Sequence, residues 1–292
     1  MDNRAEIKAF LSSRRAKLSP EQAGLTAYAR NRRVPGLRRN EVADLAGVSV
    51  EYYAQLERGN LAGVSDSVLE ALARALQMDE AERAHLLDLA RASGPATRAR
   101  RKPAAQPVRA NLQRLIDLMP QVPVIVNNAR LDQVAANSFG RALFAPMCAS
   151  PVHPANQPPN HARFTFLDPR ARDFWTDWER AADDGVAQLR TEAGRNPYDR
   201  AFTDLIGELS TRSEEFRIRW AAHDVRLHRI GVKHFHHPVA GDLQLNFEVM
   251  ELPADPGLTL IAFSADAGSP AEDALTLLGS WAATQDPKAL PR

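Results

Sequence analysis

Up to residue 94, apolar positions recur at three- and four-residue spacing, which predicts helices alone. Ile7, Phe10 and Leu11 share one face of a first helix, closed by Ser19-Pro20. A basic loop, TAYARNRRVPG, ends in the turn pair Pro35-Gly36. A second helix runs over about 38–46 with Val42, Leu45 and Ala46 inward, and Gly47 stops it. Ser49 is a good N-cap for a third helix, and Gly59 suits the position just past its end. A fourth follows Ser65 with Val68, Leu69, Leu72 and Leu76 in register. Asp79 and Glu82 form a capping box that opens a fifth, ending near Gly94-Pro95.

The pattern lapses in SGPATRARRKPAAQP, which reads as a basic linker over 95–107. The expected domains are therefore 1–94 and 108–292. Beyond the linker, Val108, Leu112, Leu115, Ile116 and Met119 mark an amphipathic helix. PVIVN and LDQVAA read as paired strands, with a short helix through Phe139 and Leu143 after them. APMCASPVHPANQPPNHA has little intrinsic order. Asp168-Pro169 caps a helical region carrying Phe174, Trp175 and Trp178, with further helices over about 178–193, 199–210 and 213–223. Three strands follow, LHRIGVKHF, LQLNFEVMEL and LTLIAFSA, and Ser269-Pro270 starts a last helix. The fold class is an all-α five-helix domain followed by an α+β domain with an antiparallel sheet.

The 292 residues carry a net charge of +1, unevenly spread. Up to Lys102 there are 18 lysines and arginines against 13 acids, so the first third is basic and suits a polyanion partner. Cys148 is the single cysteine, which excludes an intrachain disulfide and a cysteine metal cluster. The polar start MDNRAEIKAF and the lack of a long apolar stretch point to a cytoplasmic protein with no membrane partner.

The segment RRNEVADLAGVSVEYYAQLERG, residues 38–59, carries the strongest functional signal. Two short helices that cross steeply need a small residue where they approach, and Ala43 supplies it. They need a turn residue tolerant of positive φ, and Gly47 supplies that. This is a helix-turn-helix, and its second helix would enter a DNA major groove by its N-terminal turns. Ser49, Val50, Glu51, Tyr52 and Gln55 then face the bases. Gln55 suits adenine, Val50 a thymine methyl, and Glu51 either cytosine or its own helix dipole. Arg38 and Arg39 would hold phosphates, and Arg30, Arg32 and Arg33 would do the same or reach a minor groove. Glu57 is expected to pair with Arg14 or Arg15. One such unit reads few bases, so a homodimer on a two-fold double-stranded site is expected.

Through LRRNEVADLAGVSVEYYAQLERG the first domain resembles the Xre/Cro-type regulators, which have a lambda-repressor-like fold. The basic insert ending VPGLRR, with FLDPRARDFWTDWERAA, GELSTRSEEFRIRWAAHDVR and the segment from HHPVAGDLQL to AEDAL, resembles regulators with an MmyB-like second domain. That resemblance implies a PAS-like domain and a bound fatty acid or similar apolar ligand, with no other cofactor. Two features depart from the family: VAAN places Asn137 at an altered pocket edge, and His234 stands beside the usual histidine, here His236 or His237.

An acyl pocket needs apolar liners and a polar group at its mouth. Candidate liners are Leu115, Met119, Phe139, Phe144, Phe174, Trp175, Trp178, Phe216 and Trp220, although core packing explains each one singly. Arg226 is the first choice for a carboxylate head and His223 the second, unless Asp224 pairs with Arg226. His234 and His236 share a strand face, but no third metal ligand stands at matching spacing. Competing readings are an enzyme of unknown reaction, for which no nucleophile elbow or phosphate loop is present, and an antitoxin-like scaffold.

Overall fold

The computed structural model describes residues 2–25, 36–94, 108–225 and 230–285. These divide into two compact units. The first takes residues 2–25 and 36–94, and also 190–207 and 218–225, which lie beyond residue 108 where the sequence places the second domain. The reason is chemical: Arg190 pairs with Glu6, and Val225 packs into the apolar core of the N-terminal helices.

In the first unit, α1 (Asn3–Lys17) is capped by Asp2, whose carboxylate accepts from the Arg4 amide at 3.0 Å. Ile7, Phe10 and Leu11 are its buried stripe. There follow α2 (Arg39–Ala46), α3 (Val50–Glu57), α4 (Asp66–Ala75) and α5 (Glu80–Ala92). The capping box at α5 is complete: Asp79 accepts from the Glu82 amide at 2.8 Å, and Glu82 accepts from the Asp79 amide at 3.2 Å. One departure from expectation is Leu45, which is 38% exposed. Val42, Ala43 and Ala46 define the inward stripe of α2, and at 3.6 residues per turn Leu45 falls at its edge.

The second unit opens with α6 (Ala110–Asp117), β1 (Val124–Asn128), β2 (Gln133–Ala136) and α7 (Ser138–Leu143). The proline-rich stretch is more ordered than its composition suggests. It holds α8 (Ala145–Cys148), and His153 is pinned to the Met147 carbonyl at 2.9 Å. Asn160 donates to Asp132 at 2.7 Å and accepts from the Arg163 amide at 2.9 Å, starting α9 (His161–Leu167). Next come α10 (Ala171–Phe174), α11 (Trp178–Arg195), α12 (Arg200–Arg212) and α13 (Glu214–Ala221), parts of the last three belonging to the first unit. The chain then forms β3 (Ile230–His237), β4 (Gly241–Glu251), β5 (Leu258–Ser264) and α14 (Pro270–Gln285).

The five strands make one antiparallel sheet of order β2-β1-β5-β4-β3. Side chains alternate between its faces. Val124, Val126 and Leu260 pack with Leu112 and Ile116 of α6. Ile125, Ile261 and Phe263 point the other way, into an aromatic core with Phe144, Phe174 and Trp175. The fold class is as expected: a helical domain, then an α+β domain.

Candidate nucleic-acid interface and ligand cavity

The hinge between α2 and α3 has the predicted chemistry. Gly47 closes α2 at φ 66°, a left-handed conformation that favours glycine. The Val48 amide donates to the Ala43 carbonyl at 3.0 Å, satisfying a group the helix end would leave free. The Ser49 hydroxyl caps α3 by accepting from the Tyr52 amide at 3.1 Å. Tyr53 and Leu56 are fully buried, which turns Val50, Glu51 and Gln55 to the surface with Ser49. Tyr52 is half-buried against the core. The leading end of α3 is thus open to a partner.

Behind it, Glu57 is 2% exposed and gathers two cations. Arg15 Nε donates to it at 2.7 Å, and Arg39 Nε donates to its other oxygen. Arg14 instead pairs with Glu82 and Asp224. Burial pushes the Glu57 carboxyl up, but the bonds from Arg39 and Arg15 outweigh it and hold the group below its ordinary 4.5. Arg39 remains half-exposed, so its guanidinium is oriented without being covered. Arg38 is half-buried, and its amide donates to Glu41 at 2.6 Å. Arg30, Arg32 and Arg33 lie outside the described residues.

A lowered carboxyl stabilises the fold above the unfolded value and ceases to do so as pH falls through the folded one. The N-terminal unit is therefore expected to lose stability as pH falls below about 4.5, through Glu57 and through Glu6, whose carboxyl is held at about 2. Urea unfolding from pH 7 to pH 3 checks this, and Glu57→Gln should flatten the dependence.

The second unit contains a cavity of about 70 Å3. Phe144, Trp175, Phe235, Phe247 and Phe263 form much of its wall. Five polar residues also reach it: Asn127, His161, Thr165, Gln188 and Lys233. Strand alternation places Asn127 beside Ile125, and Lys233 beside Phe235. Lys233 Nζ donates to Asp184 at 2.8 Å and sits 5.5 Å from the Phe247 ring centroid. The Thr165 hydroxyl accepts from Trp175 Nε1 at 3.2 Å. Among the described residues, Asn127 Oδ1 and His161 Nε2 are buried without a hydrogen-bond partner. Burial pushes His161 down to about 3, so its ring is neutral.

Of the residues expected to bind a ligand, Trp175 and Phe144 line this cavity. Trp178 is in the adjoining core, its Nε1 donating to the Thr165 carbonyl at 3.0 Å. Phe216 packs edge-on to Phe166 at 5.1 Å. Asn137 is not among the residues that line this cavity. It is 2% exposed, and its amide is consumed by backbone partners. His223 and Trp220 belong to the first unit, where both contact Arg190. Leu115 is 56% exposed. Asp224 pairs with Arg14 and Lys17, while Arg226 lies outside the described residues. His236 meets Asp242 at 2.6 Å and His237 meets the Ala142 carbonyl at 3.1 Å. Among the described residues no group of histidines, cysteines and acids is placed to hold a metal ion, and no helix is long and apolar enough to cross a membrane.

Sequence reasoning missed Asn127, His161, Thr165, Gln188 and Lys233. For two of them a signal existed: each is a polar residue in phase with the inward side chains of a strand.

Comparison with known families gives two matches along the chain. A helix-turn-helix domain model matches residues 13–86. The model of the MmyB-like transcription regulator ligand binding domain matches residues 108–278. No curated protein matches the chain. With that second model covering more than half its length, the chain belongs to the family of MmyB-like transcription regulators.

Proposed function

We propose that this regulator reads duplex DNA with the leading end of α3 and takes a small, largely apolar molecule into the cavity of its second unit. The observation that carries the reading is the exposure of Ser49, Val50, Glu51 and Gln55 on one helix end, with Arg39 oriented beside it by a buried acid. Gln55 and Val50 match base edges in the major groove, and Arg39 matches phosphate. The protein acts in the cytoplasm as a homodimer on a two-fold site, since one such helix contacts too few base pairs for useful specificity. A fatty acid is the ligand class that the family resemblance suggests. Occupancy regulates binding through different affinities for two arrangements of the dimer.

Arg39→Ala tests the DNA half. Binding is expected to weaken alike on all sequences, with the slope of log affinity against log salt reduced by about one. Fluorescence anisotropy with duplexes from 50 to 200 mM salt measures it. Unchanged affinity and slope would remove Arg39 from the interface.

A further inference from the structure

The cavity has a polar corner that an apolar ligand alone would leave unsatisfied. Asn127 is 3% exposed, and its Oδ1 has no partner. His161 Nε2 is equally without one, and the ring stands edge-on to Phe144 at 5.0 Å. Buried polar atoms left unpaired cost free energy, and native proteins rarely tolerate them without water or a ligand. Both residues line the same cavity.

Charge decides between candidate heads. Among the described residues Lys233 is the cation lining this cavity, and Asp184 already neutralises it at 2.8 Å. A carboxylate entering here would meet the Asp184 charge as well as the Lys233 charge. It would also face the Asn127 carbonyl oxygen, which needs a donor. A hydroxyl both donates and accepts, so it can give its hydrogen to Asn127 Oδ1 and take one from His161 Nε2. Size narrows the body. At about 70 Å3 the cavity favours a compact body. The surrounding aromatic wall suits a ring.

We propose that the cavity selects a compact, neutral, hydroxyl-bearing aromatic molecule of the phenol type, held through Asn127 and His161. This rests on the reading of the cavity as the ligand site and specifies its occupant. Three probes with one shared body separate the two claims: 4-ethylphenol, ethylbenzene and 4-ethylbenzoate, titrated calorimetrically into the full-length protein. 4-Ethylphenol is expected to bind at least about tenfold more tightly than either of the others. Asn127→Leu should erase that preference while ethylbenzene still binds, and His161→Phe should act in the same direction. Equal binding of phenol and ethylbenzene, or tightest binding of the benzoate, overturns the hydroxyl assignment and leaves the cavity reading standing. Binding of none of the three at millimolar concentration overturns the cavity reading itself. The comparison on the native protein stands whether or not either variant folds.

Discussion

Glu6→Leu is expected to destabilise the N-terminal unit by about 3–5 kcal/mol, the cost of leaving a buried charge without its partner. Arg190 is fully buried and meets Glu6, which is itself 7% exposed. The guanidinium also lies 3.9 Å from the Trp220 ring centroid, contacts His223 Nδ1 at 2.9 Å and donates to the Trp220 carbonyl. These neighbours orient the cation but do not neutralise it. Among the described residues only Glu6 brings a full negative charge into direct contact, and His223 Nδ1 lies 3.3 Å from the same carboxylate oxygen. Removing the acid strands the cation. Removing both, in Glu6→Leu/Arg190→Met, is expected to recover most of the loss, because an apolar pair of similar size avoids the desolvation of two ions. Urea unfolding of the single and double variants gives the coupling energy directly. A single-variant cost below about 1 kcal/mol would mean that water reaches the pair.

Asn137→Leu should cost the second unit about 3 kcal/mol or more. Its Oδ1 accepts from the Gly140 amide at 2.7 Å and the Val124 amide at 3.1 Å. Its Nδ2 donates to the Val122 carbonyl at 2.7 Å and the Met119 carbonyl at 2.9 Å. One amide therefore caps α7, starts β1 and closes the turn after α6. Leucine keeps the number of side-chain heavy atoms but takes this partner from the buried Gly140 and Val124 amides and from the Val122 carbonyl, each worth about 1–3 kcal/mol. Gly140 shows how tight this corner is, since a Cβ there would lie 2.2 Å from the Val124 carbonyl oxygen. Thermal melting of Asn137→Leu checks the size of the loss. Full stability with weakened ligand binding would instead mark Asn137 as a pocket group.

What was legible in the sequence followed local rules. The capping residues Ser49 and Asp79, the glycine at 47 and the helical stripes Ile7-Phe10-Leu11 and Leu69-Leu72 are set by neighbours within a turn or two. The order of strands and helices in the second unit followed from alternation and spacing. What escaped depends on pairings far apart in the chain. Arg190 joins Glu6 from 184 residues away, and nothing local marks that contact. The proline-rich stretch is ordered by Asn160 reaching Asp132, a bond across 28 residues. His223 and Trp220 have the chemistry of a ligand site, yet they serve a buried ion pair. Asn127 and Lys233 were hidden because a polar residue inside a strand pattern reads as a surface position unless its phase is followed.

The proposed function depends on the open end of α3 touching base edges, and selection of bound duplexes from a random pool tests this most directly. Native protein should enrich a two-fold sequence whose half-sites lie about one helical turn apart. Gln55→Ala should lose the preference at one position in each half-site while retaining the rest, a discrimination of about 1–3 kcal/mol. Enrichment of the same sequence by native and Gln55→Ala protein, or of none by either, would contradict it.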